Sequence, residues 1–405
     1  MTVDETPRTT LGEVLASGEF RALWLAHTLS LAGDQVARVA LAVLVYGRTG
    51  SVSLTALTYA LTLVPALVSG PLLGGLADRY PRRRVMIAAD VVRAVLVVGM
   101  AVPGLPLPAV GVLLVPVVML NAPFNAARLA TLSDVLPGDR YAMGLGITNT
   151  TQQAIQLVGF GGGGLLVAAL GPNVALLLDA ATFAVCALVL RAFVRHRPAA
   201  ATGKTPGRTT LGGIRTLWSD PRLRYYASLS WLYSFFVVPE ALAAPYTAAI
   251  GQDAAAVGIF MAADPVCSAV GTLLITRLLP AERRARLIVP LAVLTGVPLV
   301  FFAQQPGMPA SLVLLGLTGL LSSYMVVAHA LLFRAAPQEQ RGQLIAVGSA
   351  GLVGGQGLGV LAGGALGDLI GPHMAIAFCA AAGVATAMLI TLRARPHQPI
   401  GEFSA

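Results

Sequence analysis

The chain has 405 residues, of which 56% are hydrophobic and 11% charged, with a mean hydropathy of +0.77. A water-soluble domain carries about a quarter charged residues, so a surface facing water on all sides is excluded. The formal charge of +9 does not mark a nucleic-acid face: only one of the 27 basic residues is a lysine, and nearly all the arginines fall in alternate loops between apolar runs.

Residues 1–20 hold Asp4, Glu5, Glu13 and Glu19 without a basic-then-apolar run, so no cleavable signal peptide is expected and the first span directs insertion. Apolar runs long enough for a hydrocarbon core of roughly 30 Å predict helices near 21–46, 53–76, 85–103, 109–133, 142–169, 173–193, 223–249, 255–277, 287–303, 311–333, 342–366 and 373–392. One set of loops holds Arg79, Arg82, Arg83 and Arg84; Arg140; Arg191 through Arg224; Arg277 through Arg286; Arg334 and Arg341; and Arg393 and Arg395. The opposite set holds Arg48 alone. Basic residues stay on the cytoplasmic side. The expected organisation is a cytoplasmic tail at 1–20, a six-helix half at 21–193, a cytoplasmic loop at 194–222, a second half at 223–392 and a cytoplasmic tail at 393–405, in the cell membrane.

The halves repeat at a constant offset of 200 residues. Arg8-Thr9-Thr10-Leu11-Gly12 returns as Arg208-Thr209-Thr210-Leu211-Gly212, Pro65 pairs with Pro265, Arg83 and Arg84 with Arg283 and Arg284, and Pro137 with Pro337. Gln156, Gly159, Gly163 and Gly164 pair with Gln356, Gly359, Gly363 and Gly364, and Gly171-Pro172 with Gly371-Pro372. An even number of spans, duplicated, gives two units of the same orientation.

Ionisable groups inside spans point to function, since each costs about 2.5 to 3.5 kcal/mol at a helix centre. In the first span Asp34 and Arg38 are four residues apart and share a face with Gln35 beside them. Asp34 lies roughly 20 Å from the cytoplasmic end at about 1.5 Å per residue, near mid-membrane. Two readings stand: a proton- or cation-binding acid with Arg38 as its counter-charge, or an ion pair that never titrates. In the third span Asp90 and Arg93 share a face at i, i+3 near the cytoplasmic end. Arg128, in the fourth, is expected to pair with Asp78 or Asp134. Asn121, Asn125, Gln152, Gln153 and Gln156 either line a cavity or hydrogen-bond between helices. Asp179 and His329 are single groups for which a bland role is favoured.

Gly159-Phe160-Gly161-Gly162-Gly163-Gly164 matches G-x-G-x-x-G, but it lies inside an apolar span with no preceding strand. Its echo in Gly359, Gly363 and Gly364 makes these helix-packing glycines. In the seventh span Glu240 sits between Pro239 and Pro245, on a cavity wall or near the outer surface. Asp264, also beside a proline, is roughly 15 Å deep in the eighth at about 1.5 Å per residue and has no local cation. Trp231, Tyr233, Phe235, Phe236 and Tyr324 face either a cavity or lipid. Cys186, Cys267 and Cys379 fall in separate apolar stretches, arguing against a disulfide framework or a metal cluster. Phosphate-loop, H-E-x-x-H and G-x-S-x-G signatures are absent, which argues against an ATP-driven pump and an enzyme.

Between spans two and three, Gly74-Gly75-Leu76-Ala77-Asp78-Arg79-Tyr80-Pro81-Arg82-Arg83-Arg84 resembles the G-x-x-x-D-R-x-G-R-R loop of the major facilitator superfamily. The two parallel six-helix units around a basic loop resemble that superfamily over the whole chain. Pro81 departs from the pattern, and the second-half loop keeps Arg283 and Arg284 but has Leu278 and Leu279 for Asp78 and Arg79. By its chemistry Asp78 can accept bonds from a helix N-terminus or an arginine and latch the cytoplasmic side, with Arg79, Arg82 and Arg83 as partners or lipid anchors. Gly33-Asp34, Arg38-Val39-Ala40-Leu41, the Asp78 loop and Asp90 with Arg93 resemble the multidrug and macrolide efflux branch. In the superfamily the third span of each triplet is peripheral, which gives Asp90 and Arg93 a structural role. The glycine run resembles the antiporter motif of span five, with Phe160 replacing its proline. The resemblance implies a monomeric, cofactor-free carrier in the lipid bilayer, exporting an amphiphilic small molecule in exchange for protons by alternating access. An importer or uniporter, or a transport-inactive receptor, is the alternative.

Overall fold

The computed structural model describes residues 10–197 and 210–393. Asp4, Glu5, the Arg8-Thr9 and Arg208-Thr209 members of the repeat, Lys204 and Arg395 lie outside them. All regular secondary structure among the described residues is helical. Ten continuous runs are long and apolar enough to cross a membrane: Gly18–Thr49, Val52–Arg79, Leu107–Val135, Asp139–Leu170, Pro172–Phe193, Ala254–Leu278, Glu282–Gln304, Met308–Ala335, Arg341–Ile370 and Pro372–Arg393. Pro221–Ala241 with Ala243–Ala249, bent by 47°, supplies an eleventh in the seventh position. Arg82–Met100 takes the third place; its 19 residues are interrupted by Asp90 and Arg93. The described residues thus form an all-α membrane protein in two halves, with about twelve spans once Arg82–Met100 is counted in the third place.

The chain's prolines and glycines set the breaks. Span 2 loosens into a turn at residues 62–64, where Pro65 has no N–H to continue the ladder. Pro239 and Pro245 bracket the bend of span 7 at Leu242. Gly171 (φ 81°) and Gly371 (φ 86°) end spans 5 and 11 in the left-handed region, and Pro172 and Pro372 open the next helices.

Residues expected to be loop or tail are in part helical. Leu11–Ala16 is capped by Thr10, whose Oγ accepts from the Glu13 N–H at 3.4 Å, and Glu13 pairs with Arg140 at 3.3 Å. Thr210–Ser219 lies within the central loop, and the Thr216 hydroxyl donates to Gln340 at 2.7 Å. Arg140 and Gln340 are the same position of the repeat, so each half holds a short helix against its own 4–5 type loop. Each buries an apolar residue, Val14 in one and Leu217 in the other, and burial outweighs the weak intrinsic stability of so short a helix.

By contacts the chain divides into two units. The first comprises the described parts of Met1–Ala37, Val68–Gly159 and Asn173–Lys204; the second, those of Arg38–Leu67, Phe160–Pro172 and Thr205–Ala405. The first is centred on Ala22, Leu23, Ala26, Met86, Phe124, Cys186 and Leu190. In the second, the ends of spans 2 and 5 away from the arginine-bearing loops pack on spans 11 and 8. A methyl group on Gly164 would overlap the backbone of Ala255 and Gly258, and one on Gly364 would overlap Ala56 and Ser53. Gly359 and Gly363 sit against Ser234 and Val238 of span 7, while Gly159, in the first unit, sits against Gln35. Gly163 is buried.

Asp368, in the last turn of span 11, accepts from the N–H groups of Val52 at 2.7 Å and Ser53 at 3.2 Å and from the Ser51 hydroxyl at 3.2 Å. It caps the positive end of span 2 from another helix. Asp368→Ala is expected to weaken this contact by about 1–2 kcal/mol, the worth of a helix cap. Spin labels at Leu54 and Leu369 should then report a second, longer distance population. An unchanged distribution would show that the cap does not hold these helix ends together.

Candidate functional site

Two groups of buried charge stand out, one in each unit. In the first, Arg93 is fully buried on span 3. It donates to Asp34 Oδ1 of span 1 at 2.8 Å and to Ser30 Oγ at 3.4 Å. Its guanidinium lies 3.9 Å from the centroid of the Phe183 ring, a cation–π contact favoured by desolvation. Asp90 is also fully buried, 4.0 Å from Arg93, and neither of its carboxyl oxygens has a hydrogen bond. Asp179 of span 6 joins them, 2% exposed, with Oδ1 unpartnered. Gly33 makes the approach possible, because a methyl there would overlap the side chains of Asp179 and Thr182.

Three expectations change here. Asp34 is paired with Arg93 rather than with Arg38. Side chains on a helix lean toward its N-terminus, so the short carboxylate tilts toward Ser30, where Arg93 reaches both. Asp90 and Arg93 are not a self-contained structural pair, since Arg93 spends its close hydrogen bonds on span 1. Asp179 is not isolated; it shares the electrostatic environment of Asp34 and Arg93.

In the second unit, the Tyr59 hydroxyl of span 2 donates to Glu240 at 2.6 Å, and the Tyr233 hydroxyl of span 7 donates to Asp264 at 2.7 Å. Asp264 is 5% exposed and its other oxygen is unpartnered. Arg38 acts electrostatically on both Glu240 and Tyr59, and Glu240 on Asp264. The remaining aromatic candidates serve packing. Trp231 donates to the Gly348 carbonyl at 2.9 Å, Tyr324 to the Leu229 carbonyl at 3.2 Å, and Phe236 lies against Gly296 and Gly383.

Around Asp78 the described residues show exposed charges and bonds made by its neighbours. The Asp78 side chain is exposed and takes part in no hydrogen bond or ion pair among the described residues, and Arg79 is exposed beside it. Its neighbours are engaged elsewhere: Arg82 pairs with Asp134 at 2.5 Å and donates to the Ala130 carbonyl at 2.8 Å, and Arg83 donates to the Arg191 carbonyl. Gly74 packs against the Gly70 carbonyl. Arg128 pairs with neither Asp78 nor Asp134, because it is buried and Asp134 is already taken; its Nε reaches Asn125 Oδ1 at 3.4 Å. Asn121 is half-buried and Gln152 exposed, without side-chain hydrogen bonds among the described residues. Nearby, Glu19 accepts from the Arg195 N–H and forks onto Arg197, whose guanidinium it holds above its ordinary pKa.

The sequence profile of the Major Facilitator Superfamily matches residues 23–247 and 240–404. The chain belongs to this superfamily. A superfamily member is a transporter rather than an enzyme, and its substrate is a small molecule. The chain is 26% identical over 374 residues to the multidrug efflux pump Tap of Mycobacterium tuberculosis, covering 86% of this chain and 87% of that protein. It is 27% identical over 360 residues to the enterobactin exporter EntS of Salmonella choleraesuis, covering 87% and 86%. The crystal structure of the nucleoside transporter NupG superposes with a TM-score of 0.71 at 14% identity, over 92% of this chain and 98% of that one, a likeness of fold alone.

Within the superfamily scaffold, sequence reasoning did not single out Tyr59, and it placed Tyr233 between cavity and lipid. A tyrosine carries no depth signal of its own; its role appears only once span 2 lies beside span 7. Gly33 entered only through the family resemblance, although it also carries a packing signal: a glycine next to the acid in the middle of a long helix costs about 1 kcal/mol unless a close approach requires it.

Proposed function

We propose that this protein is a secondary active exporter that exchanges protons for an amphiphilic small molecule. The observation that carries the reading is the set of carboxyls inside the spans. Asp34 lies on span 1 with its side chain 23% exposed, while Glu240 and Asp264 are each held by a tyrosine hydroxyl. Acids at such depth cost too much to be retained without a use, and a proton taken and released in turn is the use their chemistry offers. Outward movement is supported by the relatives, one a multidrug efflux pump and the other an enterobactin exporter. The arginine asymmetry supports a cell-membrane protein with both termini and the 194–222 loop in the cytoplasm. We assign the carrier as a monomer that works without nucleic acid.

The test uses inverted membrane vesicles with an imposed pH gradient and a panel of amphiphilic dyes and antibiotics. At least one compound is expected to accumulate several-fold inside the vesicles, and a protonophore should collapse the accumulation. Equilibration indifferent to pH would make the protein a uniporter, and gradient-driven exit would make it an importer.

A further inference from the structure

Asp34, Asp90 and Asp179 share one cation. Arg93 is within 4.0 Å of both Asp34 and Asp90 and acts electrostatically on Asp179, and it is committed by a 2.8 Å hydrogen bond to Asp34. With all three acids ionised, the cluster would hold two negative charges more than its arginine neutralises. Asp90 has no exposure and no hydrogen bond at either oxygen, so nothing solvates a charge on it. Asp179 keeps one oxygen unpartnered at 2% exposure. The other polar groups around them supply no further positive charge at the carboxyls. They are His27 and Ser30 on span 1, Thr182 and Cys186 on span 6, and Arg128 on span 4, which faces His27.

The duplication provides an internal control. At the same positions of the second half stand Ser234, Pro290, Val293 and Cys379, none of them an acid or a base at neutral pH. The scaffold therefore folds without this cluster, which is an addition to the first half and not a requirement of the fold.

We propose that Asp34, Asp90, Asp179 and Arg93 form one proton-binding site, in which Arg93 neutralises one carboxylate at a time and the other two carboxyls hold protons. This deepens the proton-driven reading above and rests on it for the use of the protons. In the present arrangement Arg93 holds Asp34, and Asp90 and Asp179 are the protonated pair. A small swing of the guanidinium moves it onto Asp90. The Asp90 O–H bond then breaks, and Asp34, left without its cation, takes up one proton. The count of bound protons is unchanged, and one has passed from a fully buried carboxyl to the more exposed one. Asp90 and Asp179 are thus the reserve behind Asp34.

The experiment is infrared difference spectroscopy of the full-length protein in lipid nanodiscs, reading the C=O stretch of protonated carboxyls at neutral pH. Asp90→Asn and Asp179→Asn are each expected to remove one band. Asp34→Asn should remove the Asp90 band as well, because Arg93 then pairs with Asp90; a merely structural Asp34–Arg93 bond would leave it in place. A spectrum of Asp90→Asn identical to that of wild type overturns the proposal, as does loss of the bands on adding sodium at constant pH. If Asp90→Asn fails to fold, isotope-labelled aspartate in Asp264→Asn protein replaces it, and absence of any shifted protonated-carboxyl band overturns the proposal equally. Dye transport in the same preparations separates the two readings. Bands with pH-indifferent transport keep the site and remove proton drive, whereas proton-driven transport without bands keeps proton drive and removes the site.

Discussion

Asp34→Asn is expected to reduce substrate-driven proton flux in proteoliposomes to background, while a neutral substrate still moves down its own gradient. Asn is nearly isosteric with Asp, so the packing of spans 1 and 3 survives while the Arg93 guanidinium, 2.8 Å from Asp34 and 4.0 Å from Asp90, turns to Asp90. Asn cannot ionise. The substitution therefore removes the protonation step and leaves the helix contacts and the walls that bind substrate. Charge-assisted bonds are worth about 1.5–3 kcal/mol against about 1 for a neutral one, so thermal stability should fall only modestly. Unaltered proton flux in the variant would move coupling to Asp264 or Glu240, the acids of the other unit. Wholesale misfolding, rescued by neutralising Arg93 as well, would make the pair structural.

How far the sequence reached depends on how local each signal is. The spans, the duplication and the alternation of arginine loops are written in short windows or at a fixed offset, and pairs such as Gly171-Pro172 and Gly371-Pro372 do the same work in both halves. The acids were legible one by one, because a charge in an apolar run is conspicuous wherever it lies. Their partners were not. Spacing along one helix suggested Asp34 with Arg38 and Asp90 with Arg93, yet the bond formed runs between helices, from Arg93 to Asp34. Lateral contacts are set by which faces meet and by small residues such as Gly33 that admit a neighbour, and neither follows from periodicity. The same holds for Tyr59 on Glu240. Asp78 illustrates a different limit: its motif is written in a short window of sequence, but the group that would bond its carboxylate is not, and among the described residues the side chain is exposed and unpaired.

Gly164→Ala and Gly162→Ala should differ by more than tenfold in transport rate, although they lie two residues apart in one glycine run. Neither costs helix propensity; Ala is the better helix former by about 1 kcal/mol. The difference is in what the new methyl meets. At Gly162 nothing lies within 4 Å. At Gly164 it would overlap the Ala255 carbonyl and the Gly258 backbone of span 8, and at Gly258 a methyl would overlap the Phe160 carbonyl and Gly164 in return. Backbone on both sides cannot be relieved by a rotamer change, so spans 5 and 8 must separate. Overpacking of this kind costs typically 1–3 kcal/mol, and each 1.4 kcal/mol on a step of the cycle is about tenfold in rate. The loss falls on the conformation in which these helix ends meet. Gly164→Ala should therefore fold and insert normally, yet a cysteine pair across spans 5 and 8 should cross-link several-fold more slowly than in Gly162→Ala. Equal transport and equal cross-linking in the two variants would show that the close glycine contact does not limit the cycle.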